Sequence, residues 1–381
     1  MSSPWPILHV ISALTTGGVQ HQLAKVVTHY DRGQFDPTVC CLSRKGEIGR
    51  ELEEAGIEVE VLGDRVSGFR FRTLRSLYGH LRRQPVAVLR AHKYRSSLYA
   101  VLAGRMAQVP VIVPSFHLPQ PARKRRRRCL IRLLCHWSDR VVAVSSAVAQ
   151  NLVGEIGVPA DKIQVIHNGV DLDDFRDLPQ RQEARRRLGL SEHDWILGAV
   201  GRMKRQKGFE HLLRALPHLE EGGLRDYQLL MVGEGPLRPS LERQVQEMGL
   251  GQRVKFLGLR RDVPELLRAM DLFVFPSLWE GFGTALVEAM LAEVPVVASD
   301  LPCIREIIPD EDFGWLVPPG DEEALAQGIL RALQDSERAA DRIASARERA
   351  REHFSLHKVV ATYQQMFGEL LAFKGYGDGR G

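Results

Sequence analysis

Short apolar runs alternate with amphipathic stretches along most of the chain. Residues 7–11, 38–42, 59–62, 86–89, 111–113, 141–144 and 164–166 are apolar enough to predict strands in a buried sheet. Between them, residues 18–30 and 71–81 space their apolar positions for one face of a helix. Strands alternating with helices predict a parallel sheet with crossover helices. The rhythm breaks over residues 171–191, a dense mixture of charges without a strand pattern. It restarts at 195–200 and continues through 229–232, 254–257, 272–275, 294–298 and 315–317. From about Glu322 onward the pattern is that of long charged helices without strands. Two series of strands predict two sheets. The expected class is α/β, with Rossmann-like doubly wound domains at 1–172 and 173–355 and a terminal helix with a loose tail at 356–381.

In open sheets of this kind ligands bind outside the carboxyl ends of the strands. Two such domains are expected to face each other across a cleft, with the ligand touching both. The apolar fraction of 44% is enough for sizeable cores. A net charge of +5 does not by itself predict a nucleic-acid partner. The excess is local, however. Arg123, Lys124, Arg125, Arg126, Arg127 and Arg128 form an unbroken basic run, with Leu130, Ile131, Leu133 and Leu134 beside it. Together they predict a helix lying on an anionic membrane surface. No aromatic residue interleaves with these cations, so nucleic acid is not an expected partner.

Cys40, Cys41, Cys129, Cys135 and Cys303 are odd in number and lack metal-site spacing, which predicts free thiols in a reducing compartment. The first residues lack the basic region of a signal peptide, and no apolar run is long enough to span a bilayer. The expected location is cytoplasmic, peripheral on the inner face of the membrane.

Candidate chemistry collects where strands end. Glu280-Gly281-Phe282-Gly283-Thr284 follows the strand at 272–275, and Glu288 lies in the helix that this turn opens. Glycines let backbone approach a ligand, and a helix N-terminus with free N–H groups favours phosphate. The two carboxylates accept hydrogen bonds from hydroxyls. Phosphate flanked by hydroxyls describes a nucleotide sugar. Arg202 and Lys207, within Gly201-Arg202-Met203-Lys204-Arg205-Gln206-Lys207-Gly208, offer charge-assisted bonds to that phosphate, whereas Lys204 and Arg205 fit a solvated basic loop. Gly233 and Gly235 end the next strand and fit either a pocket wall or a simple turn. In the first half, Gly17 and Gly18 form a strand-to-helix turn, and His117 follows the strand at 111–113. The dinucleotide fingerprint Gly-x-Gly-x-x-Gly is absent, which argues against a dehydrogenase. Asp171-Leu172-Asp173-Asp174 has the look of a divalent-cation site, but it opens the inter-domain segment, where acids cap helices or face solvent. No metal is expected.

These residues resemble a known family, the retaining GT-B glycosyltransferases of family four. The resemblance rests on Gly201-Arg202 with Lys207-Gly208, on Gly233-Glu234-Gly235-Pro236, on the Glu-x7-Glu pair Glu280 and Glu288, and on Gly314-Trp315-Leu316-Val317. Gly17-Gly18, His117 and His167-Asn168-Gly169 extend it over the first half. It implies a GT-B fold and no cofactor, a UDP- or GDP-linked sugar being the substrate. It implies that Arg202 and Lys207 bind the donor diphosphate, Glu280 and the amides of Gly281 to Gly283 the hexose, and Glu288 the ribose. His117 would lie beside the transferred sugar, Gly17 and Gly18 under the reacting centre, and a last helix near 359–371 would cross back to the first domain. The loop Leu301-Pro302-Cys303-Ile304 departs from the glycine pair of many relatives. The expected activity is metal-independent transfer of a hexose to a hydroxyl of a glycan or lipid-linked acceptor, in cell-envelope polysaccharide or lipopolysaccharide synthesis. A nucleotide-sugar epimerase and a non-catalytic nucleotide-sugar-binding subunit are the alternatives.

Overall fold

The computed structural model describes residues 3–63, 69–120, 125–335 and 337–376. Arg123 and Lys124 of the basic run, and the last five residues, lie outside them. The chain divides into two compact units, 1–169 with 356–381, and 170–355. The division falls after Gly169, three residues before the expected boundary.

The first unit holds β1 (Trp5–Ala13), β2 (Phe35–Arg44), β3 (Val59–Val61), β4 (Val88–His92), β5 (Val111–Phe116), β6 (Val141–Ala143) and β7 (Ile163–Val165). They form one parallel sheet in the order β3-β2-β1-β4-β5-β6-β7. The second unit holds β8 (Trp195–Val200), β9 (Tyr227–Val232), β10 (Val254–Gly258), β11 (Leu272–Phe275), β12 (Val296–Ser299) and β13 (Trp315–Val317). Their order is β10-β9-β8-β11-β12-β13, again all parallel. Both sheets therefore reverse their winding once, between β1 and β4 and between β8 and β11. A crevice opens at the carboxyl end of such a reversal, and ligands bind there.

Each sheet is buried between helices, so its strands are apolar almost throughout. The terminal helix, Leu356–Phe373, is not the charged helix its position predicted. Its Val359, Tyr363, Phe367 and Leu371 pack in one core with Ile7, Leu23, Val26 and Phe35 of the first unit. Strand β4 also differs from expectation. It begins at Val88 and runs on through Arg90 to His92, whereas residues 86–89 were expected. The two polar residues look like a strand end in sequence, yet both are buried.

Candidate functional site

The carboxyl ends of β8, β9 and β11 carry most of the expected site residues. Gly201, Arg202 and Lys207 follow β8, Gly233 and Gly235 follow β9, and Glu280, Gly281, Phe282 and Gly283 follow β11. Backbone bonds tie these loops together. The Gly201 amide donates to the Val232 carbonyl at 2.9 Å, the Met203 amide to Glu234 at 2.9 Å, and the Leu278 amide to Gln206 at 2.8 Å. Such contact requires glycine at two points. Gly208 has φ 65°, and a Cβ there would collide with the carbonyl oxygen of Pro276. Gly233 has φ 130°, and a Cβ would strike the carbonyl of Gly201. Side chains rarely adopt such dihedrals.

Glu280 is the hub. Lys207 Nζ lies 2.7 Å from Glu280 Oε1. Ser277 Oγ donates to the same oxygen at 3.0 Å, and Gln206 Nε2 donates to Oε2 at 3.0 Å. Lys207 also faces the Phe275 ring at 4.7 Å. Two residues expected to act on different parts of a ligand are thus already paired. Ser277 and Gln206 escaped the sequence reading. The signal available was Ser277 three residues before Glu280 in a loop that starts straight from a strand.

Lys204 corrects a second expectation. It is half-buried rather than solvated, and burial lowers its pKa. The charge of Glu280 opposes that shift, while Lys207 and Arg202 add to it, so all four lie within electrostatic reach. Arg202 itself is exposed and makes no hydrogen bond or ion pair with the described residues. Three cations and one carboxylate thus cluster around Lys204.

Gly283 precedes the helix Thr284–Leu291, with φ 123° and no side-chain cap. Glu288 lies one turn into this helix, half-buried. Phe282 is different. Its ring is buried against Phe354, centroids 5.3 Å apart, so its side chain serves the core and only its backbone remains for a ligand.

In the first unit, Gly17 and Gly18 join β1 to the helix Gly18–Thr28, which also lacks a side-chain cap. His117 follows β5 directly and is 8% exposed. It is not alone. His92 Nδ1 lies 3.4 Å from His117 Nε2, and His9 Nδ1 lies 3.2 Å from His92 Nε2. Burial lowers the pKa of all three well below 6.5. Arg90 adds to the shift at each, and Lys93 adds more than Arg90 at His117. They are neutral at pH 7. Strand register explains the row. His9 pairs with Arg90 and His92 with Ser115, which places all of them and His117 on one face of the sheet.

The basic run continues as the helix Arg125–His136. Arg125, Arg126 and Arg128 are exposed, and Arg127 bonds Gln120 Oε1 at 3.2 Å and covers the Tyr94 ring. The membrane expectation needs correction here. Ile131 and Leu134 point into the unit's interior and Leu130 is half-buried, so Leu133 is the only one of the four leucine and isoleucine side chains left exposed. The apolar side of this helix is thus mostly turned inward, and its exposed side is mainly basic. Asp173 of the acidic run bonds Arg176, 2.5 Å away, and no metal-binding cluster occurs among the described residues. No described helix is long and apolar enough to cross a membrane. All five cysteines are free.

Two family models match the chain, Glycosyltransferase Family 4 over residues 16–174 and Glycosyl transferases group 1 over residues 180–349. UDP-Gal:alpha-D-GlcNAc-diphosphoundecaprenol alpha-1,3-galactosyltransferase of Escherichia coli is 27% identical over 343 residues, covering 86% of this chain and 88% of its own. The lipopolysaccharide core biosynthesis mannosyltransferase LpsB of Rhizobium meliloti is 28% identical over 330 residues, 82% of this chain and 90% of its own. Among solved structures, HepE of Anabaena in complex with UDP and glucose superposes with a TM-score of 0.85 at 23% identity, over 96% of this chain and 100% of that one.

Proposed function

The chain belongs to the GT-B glycosyltransferases of family 4, and on that premise we propose that it transfers a hexose from a nucleoside diphosphate sugar to a hydroxyl of a glycan or lipid-linked acceptor. One observation carries the proposal: Lys207 pairs with the single carboxylate of Glu280, and Lys204 lies within electrostatic reach of that carboxylate, of Lys207 and of Arg202, at the winding reversal of the second sheet. Uncompensated cations held partly away from water favour an anion of more than one charge. A diphosphate is such an anion.

The chemistry follows from where charge develops. The bond from the sugar's anomeric carbon to the diphosphate oxygen breaks, and negative charge grows on the leaving group. Arg202, Lys204, Lys207 and the open helix end at Gly283 stabilise that charge without a metal ion. The acceptor hydroxyl attacks from the same face, and its proton passes to a donor phosphate oxygen, so the anomeric configuration is retained. Glu280, held by Ser277, Gln206 and Lys207, accepts bonds from hexose hydroxyls, and Glu288 does the same for the ribose. Neither acts as a nucleophile.

The acceptor belongs to the first unit in this reading. A cavity of about 470 Å³ lined by Tyr94, Arg125, Arg126, Arg127 and Leu130 suits an anionic group such as a lipid-linked phosphate. The two relatives act in lipopolysaccharide core synthesis and on a diphosphoundecaprenol-linked sugar, as their names state, and cell-envelope glycan synthesis fits this chain too. It would work at the inner face of the cytoplasmic membrane.

The test is a thermal-shift panel of UDP, GDP, ADP and their hexoses, because a bound ligand raises stability by mass action. Product analysis with the best donor follows. A glycoside of unchanged anomeric configuration supports the reading. A free epimerised sugar, or tight binding with no turnover of any donor, overturns it.

A further inference from the structure

His9, His92 and His117 come from three neighbouring strands of the first sheet, β1, β4 and β5, and form a continuous row of ring nitrogens. The rings are nearly parallel, at 19° and 26° between neighbours. Two nitrogens end the row, His9 Nε2 and His117 Nδ1, and both are buried without a hydrogen-bond partner among the described residues. The ends are not equivalent. His9 is 0% exposed, whereas His117 sits at the strand end with 8% of its surface open.

A neutral imidazole has one N–H and one bare nitrogen. Each contact in the row needs one of each. If His92 donates from Nδ1 to His117, its Nε2 is bare and His9 must donate from Nδ1. His117 then carries its own proton on Nδ1. If His92 donates from Nε2, all three rings carry the proton on Nε2 instead, and His117 Nδ1 is bare. No other neutral arrangement makes both bonds.

Cations face the row from several elements. Arg90 on β4 is buried, bonds Tyr30 and Ser115, and lies over the Tyr363 ring at 3.6 Å. No ion pair joins it to a described carboxylate. Lys93 sits beside His117 and contacts Gln20. Positive charge beside the row disfavours a fourth proton on it.

We propose that His9 and His92 are positioning residues that tie the tautomer of His117 to their own, so that the three rings switch only together and His117 presents a substrate hydroxyl with one hydrogen-bonding role at a time. The substrate part rests on the transferase reading above, while the tautomer lock does not.

The test uses the full chain labelled with ¹⁵N-histidine at pH 7.5, where two-bond ¹H–¹⁵N spectra separate protonated from bare ring nitrogens. His9→Gln, His92→Gln and His117→Gln assign the signals. The three rings are expected to share one tautomer, and His92→Phe is expected to turn His117 into a mixture of two. A row with unlike tautomers, a cationic ring, or a His117 indifferent to His92→Phe overturns the lock. Steady-state kinetics with the donor found by the panel give the second arm. His92→Phe and His117→Phe should each lower kcat/KM about tenfold, the scale of one lost buried hydrogen bond. In the His117→Phe background, His92→Phe should cost nothing more. Additive losses overturn the positioning role even where the tautomers agree. His92→Gln, which keeps a donor and an acceptor, should recover part of the activity and guards against mere misfolding. If the wild type turns over no nucleotide sugar, the transferase reading fails and the spectra still decide the lock.

Discussion

Both sheets wind in the same order and reverse once, yet they dress the reversal differently. At the reversal of the second sheet, the polar groups stand on loops: Lys207 after β8 and Glu280 after β11, 2.7 Å apart. The first sheet carries His9 inside β1 and His92 at the end of β4, 3.2 Å apart and buried. The loop site is charged, partly open and rich in cations. The strand site is a row of neutral imidazoles beside the buried Arg90, sealed apart from its His117 end. Loops can hold ions because water and ligand reach them, whereas polar groups inside a sheet need partners there, as Arg90 has in Tyr30, Ser115 and the Tyr363 ring. The second unit is thus suited to bind charge, and the first to present a neutral, directed group.

Substitutions at the loop site should show the largest effects. Lys207→Ala and Arg202→Ala are each expected to lower kcat about 10²- to 10³-fold, the range for removing one preorganised stabiliser of developing charge. They should part company in stability. Lys207 leaves the Glu280 carboxylate short of a partner and lowers Tm, while exposed Arg202 leaves Tm unchanged. Thermal melts beside steady-state kinetics check this, and a large loss of Tm in Arg202→Ala breaks the picture of an open cationic site.

The turns come next. Gly208→Ala is expected to cost about 3 kcal/mol, since it combines a positive φ with a collision against backbone. Gly18→Ala in the first unit has nothing within 4 Å of the new Cβ and should stay within about 0.5 kcal/mol. Denaturant titrations of the two variants measure the contrast, and equal losses would mean that the tight loop packing of the second unit is not special.

Acid should act on the histidine row. The three histidines have folded pKa values below 6.5, so the unfolded chain binds more protons as pH falls past that value. Their contribution is complete above about pH 6.5 and is lost below it, at up to about 1.4 kcal/mol per pH unit for each ring. Stability measured from pH 7.5 to 5.5 should fall less steeply in His9→Gln. The half-buried Lys204 has its pKa lowered from 10.5 by burial. An unchanged slope in His9→Gln would remove the row from the account.

Per residue, the smallest effect belongs to the basic helix. Replacing Arg125, Arg126 and Arg128 by glutamine should weaken binding to anionic vesicles by about 1 kcal/mol per residue at low salt. Leu133→Ser should matter less than any one of them, because the other apolar residues of this helix face inward. Flotation with vesicles containing phosphatidylglycerol measures both, and a dominant Leu133 effect would restore an inserted helix.

The same contrast explains what could be read from the sequence. All six strands of the second sheet, and the run from Glu280 to Glu288, were legible because loop sites are written as contiguous motifs beside apolar runs. Lys204 was misjudged, since a lysine among lysines and arginines gives no hint of burial. In the first unit the seven strands were legible but the histidine row was not. His9, His92 and His117 lie 83 and 25 residues apart, and only strand register brings them together. Arg90 and His92 even disguised the strand that carries them, because polar residues in an apolar run look like its end. Phe282 misled in the opposite sense, as its place inside the motif hid its role in the core.

The central claim is that Arg202, Lys204 and Lys207 hold a diphosphate in the second unit. Thermal unfolding of the wild type and of Arg202→Ala/Lys207→Ala, each with and without saturating UDP or GDP, tests it directly. One of the two diphosphates should raise the Tm of the wild type, with a much smaller rise in the double variant. An equal rise in both proteins, or no rise in the wild type with either diphosphate, would contradict the account.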